Sequence, residues 1–302
     1  MSWLELSLTL TAKQQPCAEA ALEELGALSI TLLDANAETP DECAIFEPGV
    51  GETPLWRTLV LNALFESDAD RGAIVLALRE SLPELSPEQI AFREVADQDW
   101  ERAWMDRFRP MRFGKRLWIY PWNIEPPVAE SETVIVRLDP GLAFGTGTHP
   151  TTALCLEWLD AIDLRGKTFI DYGCGSGVLA IAALKLGAAR AIGVDNDGQA
   201  LTASLDNARR NDVAERLVLH APQDLPKDSR CDVLVANILA GPLHDLAPGF
   251  ADLLKPGAPF AICGILAEQE NELLQRYTAS GFSDLQIAKR EDWIRISGKR
   301  QR

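Results

Sequence analysis

The chain has 302 residues, of which 47% are hydrophobic and 25% are charged, the balance of an ordinary globular protein. This length predicts two domains of common size, with enough apolar residues for their cores without disulfides or metal. No apolar run reaches the roughly 18 residues that a membrane helix needs, and the first ten residues lack the basic segment of a signal peptide. We therefore expect a soluble, cytoplasmic protein.

The net charge of −16 is concentrated in the first part of the chain. Residues 1–90 hold 16 acidic and 4 basic side chains, whereas the other 212 residues hold 29 acidic and 25 basic ones. An acidic surface repels nucleic-acid phosphates and anionic lipids, and it attracts basic partners. Acidity also confers solubility, so charge alone leaves both interpretations open.

The first 95 residues are predicted to form a small α+β domain. Strands are indicated by alternating apolar and polar side chains, and helices by a longer period. The order β-α-β-β-α-β is typical of a ferredoxin-like two-layer domain. A loop over about 35–55, rich in proline, glycine and acid, can accommodate a short strand at 43–46. The other predicted strands are 3–10, 28–34, 57–65 and 89–95, and the predicted helices are 16–26 and 69–81.

Residues 96–125 differ in composition and are predicted to be a linker. Tryptophans there are interleaved with arginines and lysines, and residues 97–107 can form a helix with Trp100 and Trp104 on one face. Such a segment can bind single-stranded nucleic acid, or it can pack between two domains. The acidic neighbouring domain favours packing.

Residues 126–302 are predicted to form a doubly wound sheet, because short apolar strands alternate with helices. We expect helices on both faces of a mostly parallel sheet. The predicted strands are 133–138, 167–172, 190–195, 216–220, 231–236, 258–263 and two within 283–297; the predicted helices are 149–162, 177–187, 198–211, 240–254 and 267–279.

The six cysteines and three histidines do not form a metal-binding pattern. No two cysteines lie within four positions of each other, which excludes the common zinc spacings and a secreted disulfide framework. We expect reduced, mostly buried thiols and no bound metal.

A glycine-rich turn follows the strand that ends at Asp171. The sequence Gly-Cys-Gly-Ser-Gly at 173–177 leads into an Ala/Leu helix, and glycines allow a tight turn and a close approach by a ligand. The next strand ends in Asp195, whose carboxylate can accept both hydroxyls of a ribose. Because the spacing differs from the G-x-G-x-x-G of dinucleotide enzymes, a ligand without phosphates fits better.

Two further segments belong to the same end of the predicted sheet. Asn237 ends the strand beside the point at which the strand order of a doubly wound sheet reverses, where ligands bind. It would face the same crevice as Gly173, although an asparagine there can also cap a helix. Residues 139–152 are rich in glycine. Ordering glycines costs more conformational entropy than ordering other residues, which is unfavourable for a simple connecting loop. We therefore expect this loop to cover a bound ligand.

These segments together resemble the class I methyltransferases that use S-adenosyl-L-methionine. The order D-x-G-x-G-x-G, then G-V-D, then a strand ending in asparagine is the pattern of that superfamily. Nearly the whole chain is similar to a narrower family, the bacterial methyltransferases of large-subunit ribosomal protein eleven. The similarity is carried by residues 99–119, 138–152, 171–188 and 236–243.

The resemblance implies a Rossmann-like sheet of seven strands and S-adenosyl-L-methionine as the cofactor. It implies N-methylation of a basic ribosomal protein at its α-amine and at lysine ε-amines, with the acidic domain docking this substrate. By motif position the cofactor contacts would fall on Thr152, Gly173, Asp195 and Asn237. We expect a monomer that binds neither nucleic acid nor a membrane directly.

No catalytic residue is assigned. The methyl group of a sulfonium is already activated, so the protein mainly positions the amine. His149 and Asp139 are candidate bases, but none is needed if the amine loses its proton before docking. Methylation of RNA or a small molecule remains an alternative that the acidic domain and the absence of an N-P-P-Y loop disfavour. A non-catalytic binding module is disfavoured by the intact glycines and Asp195.

Overall fold

The computed structural model describes residues 2–37, 39, 54–96, 109–126, 133–138 and 149–302. The chain divides into two compact units, 1–99 and 100–302, and each has its own apolar core. In these described ranges, no helix is long and apolar enough to cross a membrane. The predicted strand at 43–46, the predicted helix at 97–107 and the glycine-dense stretch at 139–148 lie outside the described residues.

The first unit contains a four-stranded antiparallel sheet in the order β2-β3-β1-β4. Its leucines at alternate positions from Leu4 to Leu10 are buried, as the period of two predicts. Asp70 begins the second helix by accepting hydrogen bonds from the backbone N–H groups of Gly72 and Ala73. The elements, in the predicted order, are β1 Ser2–Thr11, α1 Gln15–Glu24, β2 Ser29–Asp34, β3 Thr58–Glu66, α2 Arg71–Ser81 and β4 Ile90–Ala96.

The second unit begins with a three-stranded sheet, β5 Met111–Phe113, β6 Leu117–Tyr120 and β7 Val134–Arg137. The buried Asp160 accepts hydrogen bonds from the backbone N–H groups of Lys115, at 2.6 Å, and Arg116, at 3.3 Å. The composition of this segment predicted neither β5 nor β6. The strand expected at 133–138 is present, but it belongs to this sheet and not to the larger one.

The main sheet has seven strands in the order β10-β9-β8-β11-β12-β14-β13. Strands β8 to β12 run parallel, and β14 pairs antiparallel with both β12 and β13. Of these seven strands, β14 alone therefore runs in the opposite direction. The strands are β8 Thr168–Tyr172, β9 Arg190–Val194, β10 Leu217–His220, β11 Val233–Asn237, β12 Pro259–Leu266, β13 Phe282–Arg290 and β14 Trp293–Arg300.

Helices cover both faces of this sheet. Phe169 packs into an apolar cluster with α3 and α4, whereas its neighbour Ile170 packs into a second cluster with α6 and α7 on the opposite face. Strands buried on both faces explain the near-continuous apolar runs in the sequence. The helices are α3 Pro150–Ala161, α4 Val178–Lys185, α5 Gly198–Arg210, α6 Ala240–Leu253 and α7 Glu270–Ala279.

Most cysteines of the described ranges are buried free thiols, as predicted. Burial raises the pKa of Cys174 and of Cys231 to about 12, so both thiols stay protonated and unreactive. Cys155 and Cys263 are also buried, whereas Cys17 is exposed. Cys43 lies outside the described residues.

The strand order creates a switch point beside β8. The chain runs from β8 to β9 and β10 in one direction, and then returns to β11 on the other side of β8. Ligands of open α/β sheets bind in the crevice at the carboxyl ends of the strands at such a point. Here these ends carry Gly173, Asp195 and Asn237.

Candidate active site

A cavity of about 610 Å³ opens at the carboxyl ends of β8, β9 and β11. Three of the four residues predicted to bind the cofactor line it, namely Gly173, Asp195 and Asn237. The wall on the side of α6 is mainly apolar. The other lining residues are His149, Thr151, Tyr172, Gly175, Val194, Asn196, Pro222, Ile238, Leu239, Pro242, Leu246, Gly264 and Trp293.

The glycine turn has a backbone that only glycine adopts readily. Gly173, Gly175 and Gly177 have φ values of +78°, +52° and +79°. The Ser204 hydroxyl donates to the Gly175 carbonyl at 2.8 Å, and the Asn207 amide donates to the Ser176 carbonyl at 2.9 Å. Helix α5 therefore holds the turn in place.

Asp195 is oriented by backbone N–H groups on both of its carboxylate oxygens. Its Oδ2 accepts from Gly175 at 2.8 Å, and its Oδ1 accepts from Asp197 at 3.0 Å. A carboxylate has about four acceptor positions, so further ones remain for hydroxyl donors of a ligand. The carboxylate is thus held in one orientation, with acceptor positions left for hydroxyl groups.

Asn237 presents a carboxamide that is only partly satisfied. Its Nδ2 donates a long hydrogen bond of 3.5 Å to the Thr152 hydroxyl, and its buried Oδ1 has no hydrogen-bond partner among the described residues. Thr152 is fully buried in the first turn of α3 and does not line the cavity, so it contacts Asn237 and not open space. Asn237 is not a helix cap, because Leu239 occupies the N-cap position of α6.

His149 lies at the start of α3 beside the cavity. Its Nδ1 accepts from the Thr151 backbone N–H at 3.3 Å, and its ring contacts the Trp293 ring edge-on with centroids 4.9 Å apart. Burial lowers the pKa of His149, while Glu291 opposes that shift. The imidazole is therefore mainly neutral at neutral pH. Asp139, the other candidate base, lies outside the described residues.

Trp293 and Gly264 also line the cavity, although neither was among the residues predicted for the site. Trp293 begins β14, and Gly264 lies at a register shift in β12 with a φ of +90°. A glycine inside an apolar strand often marks a bulge, which was the available signal for Gly264. No local pattern marks Trp293, because only the pairing of β14 with β12 brings it to the cavity.

Gly173→Ala is expected to abolish most cofactor binding. The sequence alone suggested that a side chain would block the ligand, but the structure gives a different reason. A Cβ at this position would overlap Cγ2 of Ile238, and the positive φ adds strain. Gly166→Ala is the matched control, because Gly166 has a φ of +71° but open space around it. Calorimetric titration measures the cofactor affinity of both variants. Equal affinities would contradict the prediction for Gly173.

Asp171, at the end of β8, is expected to make stability depend on pH. Burial raises its pKa to about 8, from an ordinary 3.8, and nearby Asp195 adds to the shift. The folded state therefore holds a proton that the unfolded state has released, and stability falls as pH rises between these two values. The slope is at most about 1.4 kcal/mol per pH unit.

Asp171→Asn should flatten this pH dependence. Its Oδ2 accepts from the Ala180 backbone N–H at 3.0 Å, a contact that the asparagine oxygen can keep. Urea unfolding of both proteins at several pH values between the two pKa values measures the difference. Parallel curves for the two proteins would show that Asp171 is ionised throughout.

Comparisons with known proteins agree with this architecture. The family model described as Ribosomal protein L11 methyltransferase (PrmA) matches residues 2–301. The chain is 56% identical over 307 residues to the Ribosomal protein L11 methyltransferase of Stenotrophomonas maltophilia (strain R551-3), with all of both chains covered. It is 54% identical to that of Pseudomonas aeruginosa (strain LESB58), covering 100% of this chain and 99% of the relative.

A solved structure is also similar. The crystal structure of ribosomal protein L11 methylase from Lactobacillus delbrueckii subsp. bulgaricus aligns with a TM-score of 0.59 and 32% identity. The alignment covers 65% of this chain and 100% of that one. With a family match over nearly every residue, the chain belongs to the ribosomal protein L11 methyltransferases.

Proposed function

We propose that this chain transfers methyl groups from S-adenosyl-L-methionine to the α-amine and to lysine ε-amines of ribosomal protein L11. Its family establishes an S-adenosyl-L-methionine-dependent methyltransferase of L11; the choice of amines is the proposal. One observation links this chemistry to the site: the glycine turn, the oriented Asp195 and the unsatisfied Asn237 line one cavity at the switch point.

Three of the four residues predicted to contact the cofactor fit its chemistry, and the fourth, Thr152, contacts Asn237. Asp195 would accept both ribose hydroxyls, and Gly173 would allow the backbone to approach the ligand closely. The free Oδ1 of Asn237 would accept from an ammonium or amine, with Thr152 holding the other end of the carboxamide. S-adenosyl-L-methionine is positively charged at its sulfonium, and an acidic side chain beside the cavity suits such a ligand.

The chain's own contribution to catalysis would be positioning and desolvation. The bound cofactor supplies a methyl group that its sulfonium has already activated. A lysine amine has an ordinary pKa of about 10.4 and must lose its proton before it can attack. Leu239, Pro242 and Leu246 form an apolar wall that would remove water from the amine and lower its pKa. We assign no general base, because Nδ1 of His149 already accepts from Thr151.

The N-terminal unit is proposed to be a ferredoxin-like domain that docks the substrate. The order β2-β3-β1-β4, with helices after β1 and β3, supports this fold. The excess of acidic over basic side chains in residues 1–90 suits a basic protein such as L11. The proposed division is residues 1–95 for recognition and 126–302 for methyl transfer. Of the predicted linker at 96–125, strands β5 and β6 belong to the second unit and pack into its core.

We further propose that the enzyme is a cytoplasmic monomer without direct nucleic-acid or membrane contacts. A ribosomal protein substrate places the reaction where ribosomes are made, and the acidic charge of residues 1–90 would repel RNA and anionic lipid.

The test is incubation with methyl-labelled S-adenosyl-L-methionine, first with purified L11 and then with a cell extract. Mass spectrometry of proteolytic peptides should find the label on the N-terminal amine and on lysines of L11. Label on carboxylates, glutamine amides or RNA would refute the proposed choice of acceptor. Heat-denatured enzyme is the control for transfer without catalysis.

A further inference from the structure

Ile238, the residue directly after Asn237, packs against two glycines, Gly173 in the turn after β8 and Gly264 in β12. On the side of β8 it meets Gly173, where a Cβ would overlap Cγ2 of Ile238 and would lie 3.6 Å from its Cβ. The absence of a side chain at Gly173 thus makes room for the methyl branch of Ile238. This contact involves one specific carbon of a β-branched side chain.

On the side of β12, the backbone of Ile238 meets Gly264. A Cβ there would overlap the Ile238 carbonyl oxygen and would lie 2.8 Å from its carbonyl carbon. Gly264 has a φ of +90° and lies at the register shift between Cys263 and Ile265. The bulge therefore brings the β12 backbone directly against the peptide group of Ile238.

These two contacts matter because hydrogen bonds alone hold the Asn237 carboxamide loosely. Its described hydrogen bond, to Thr152, is 3.5 Å long, and its Oδ1 has no described partner. Leu239, the next residue, is 54% exposed, so side-chain packing at this point of the chain comes from Ile238. Strand pairing holds Asn237 opposite Cys263, and packing of Ile238 against both glycines holds the backbone that directly follows Asn237.

We propose that Ile238 is a positioning residue that acts through Asn237. Its Cγ2 packs against Gly173 and its peptide group packs against Gly264. These two contacts orient the Asn237 carboxamide towards the cavity. The inference rests on the proposed role of Asn237 in binding the cofactor or the acceptor amine. Gly173 and Gly264 then both make room for the same residue, Ile238.

The shape of the side chain provides the test. Ile238→Val keeps Cγ2 and loses only the terminal methyl, whereas Ile238→Leu keeps the volume but removes the branch at Cβ. A misplacement of reacting groups by about 1 Å can cost a hundredfold, so we expect the leucine variant to lose about tenfold or more in kcat/KM. The smaller valine variant should stay within about threefold of the parent. If apolar volume alone mattered, leucine would be the better replacement. A higher kcat/KM for Ile238→Leu than for Ile238→Val would therefore overturn the proposal.

Two controls separate positioning from stability. Ile262→Leu makes the same chemical change in the same apolar cluster, at a residue that does not line the cavity, and should affect thermal unfolding more than turnover. Gly264→Ala should reproduce the Ile238→Leu defect, whereas Gly257→Ala, with a φ of +77° and open space, should not. Equal defects in both glycine variants would overturn the assignment to Ile238.

A double-mutant cycle distinguishes failure of this inference from failure of the proposed site. If Ile238 acts through Asn237, Ile238→Leu should cost little more in a protein that already carries Asn237→Ala. Binding and single-turnover measurements give the coupling. An unaffected Asn237→Ala protein would refute the role of Asn237 itself. An impaired Asn237→Ala protein with strictly additive Ile238→Leu loss would refute only the inference.

Discussion

Asp195→Ala is expected to weaken cofactor binding by about 10- to 150-fold, since hydrogen bonds to a charged group contribute about 1.5–3 kcal/mol. Both carboxylate oxygens are already oriented by the N–H groups of Gly175 and Asp197. A ligand diol therefore meets a fixed acceptor and does not have to order it. Calorimetric titration with S-adenosyl-L-methionine measures the loss.

Asp197→Ala is the matched control for this prediction. Asp197 caps α5 by accepting from the Gln199 backbone N–H at 2.8 Å, and its own N–H, which holds Asp195, survives the substitution. The control should lose some helix stability and keep most of its cofactor affinity. If Asp195→Ala binds as tightly as Asp197→Ala, the carboxylate does not hold the ribose.

Removal of the acidic N-terminal unit is expected to abolish most methylation of L11 while cofactor affinity stays nearly intact. A chain that begins at Trp100 keeps every described residue of the cavity. Placing one amine of a large substrate at the methyl group requires the remainder of the substrate to be held, so turnover of L11 should fall by more than about tenfold. Steady-state assays with full-length and truncated enzyme measure this.

Cofactor binding by the truncated chain is its own control for folding. A short peptide with one amine is the control for chemistry, because it does not depend on docking and should lose much less turnover. Raising salt should weaken methylation of L11 by the full-length enzyme, since exposed charges are screened over about 8–10 Å at physiological ionic strength. If the truncated enzyme methylates L11 as fast as the full-length enzyme, residues 1–90 do not dock the substrate, and their acidity serves solubility alone.

Much of the fold could be predicted from the sequence, because its signals are local. The alternation from Leu4 to Leu10 and the apolar runs of the main sheet reflect which side of a strand is buried. The glycines at 173, 175 and 177 reflect backbone angles of single residues. Asp195 and Asn237 could be placed together because parallel strands end at one edge of a sheet.

Other features depended on contacts between distant parts of the chain. Strands β5 and β6 are only three and four residues long, and they depend on pairing with each other and with β7. No local pattern reveals how deeply a single side chain is buried. Thr152 is buried and therefore contacts Asn237, and burial of Asp171 raises the pKa of its carboxyl group.

The class of fold, the glycine turn and the residue types at the strand ends can be predicted from the sequence, since each depends on a local period or a single backbone angle. Only contacts between strands explain why Gly173 must be glycine and how Gly264 and Trp293 reach the cavity. These depend on packing across β8, β11, β12 and β14, strands that are far apart in the chain. Side-chain packing is specific to individual atoms, and a linear pattern of residue types does not encode which atoms meet.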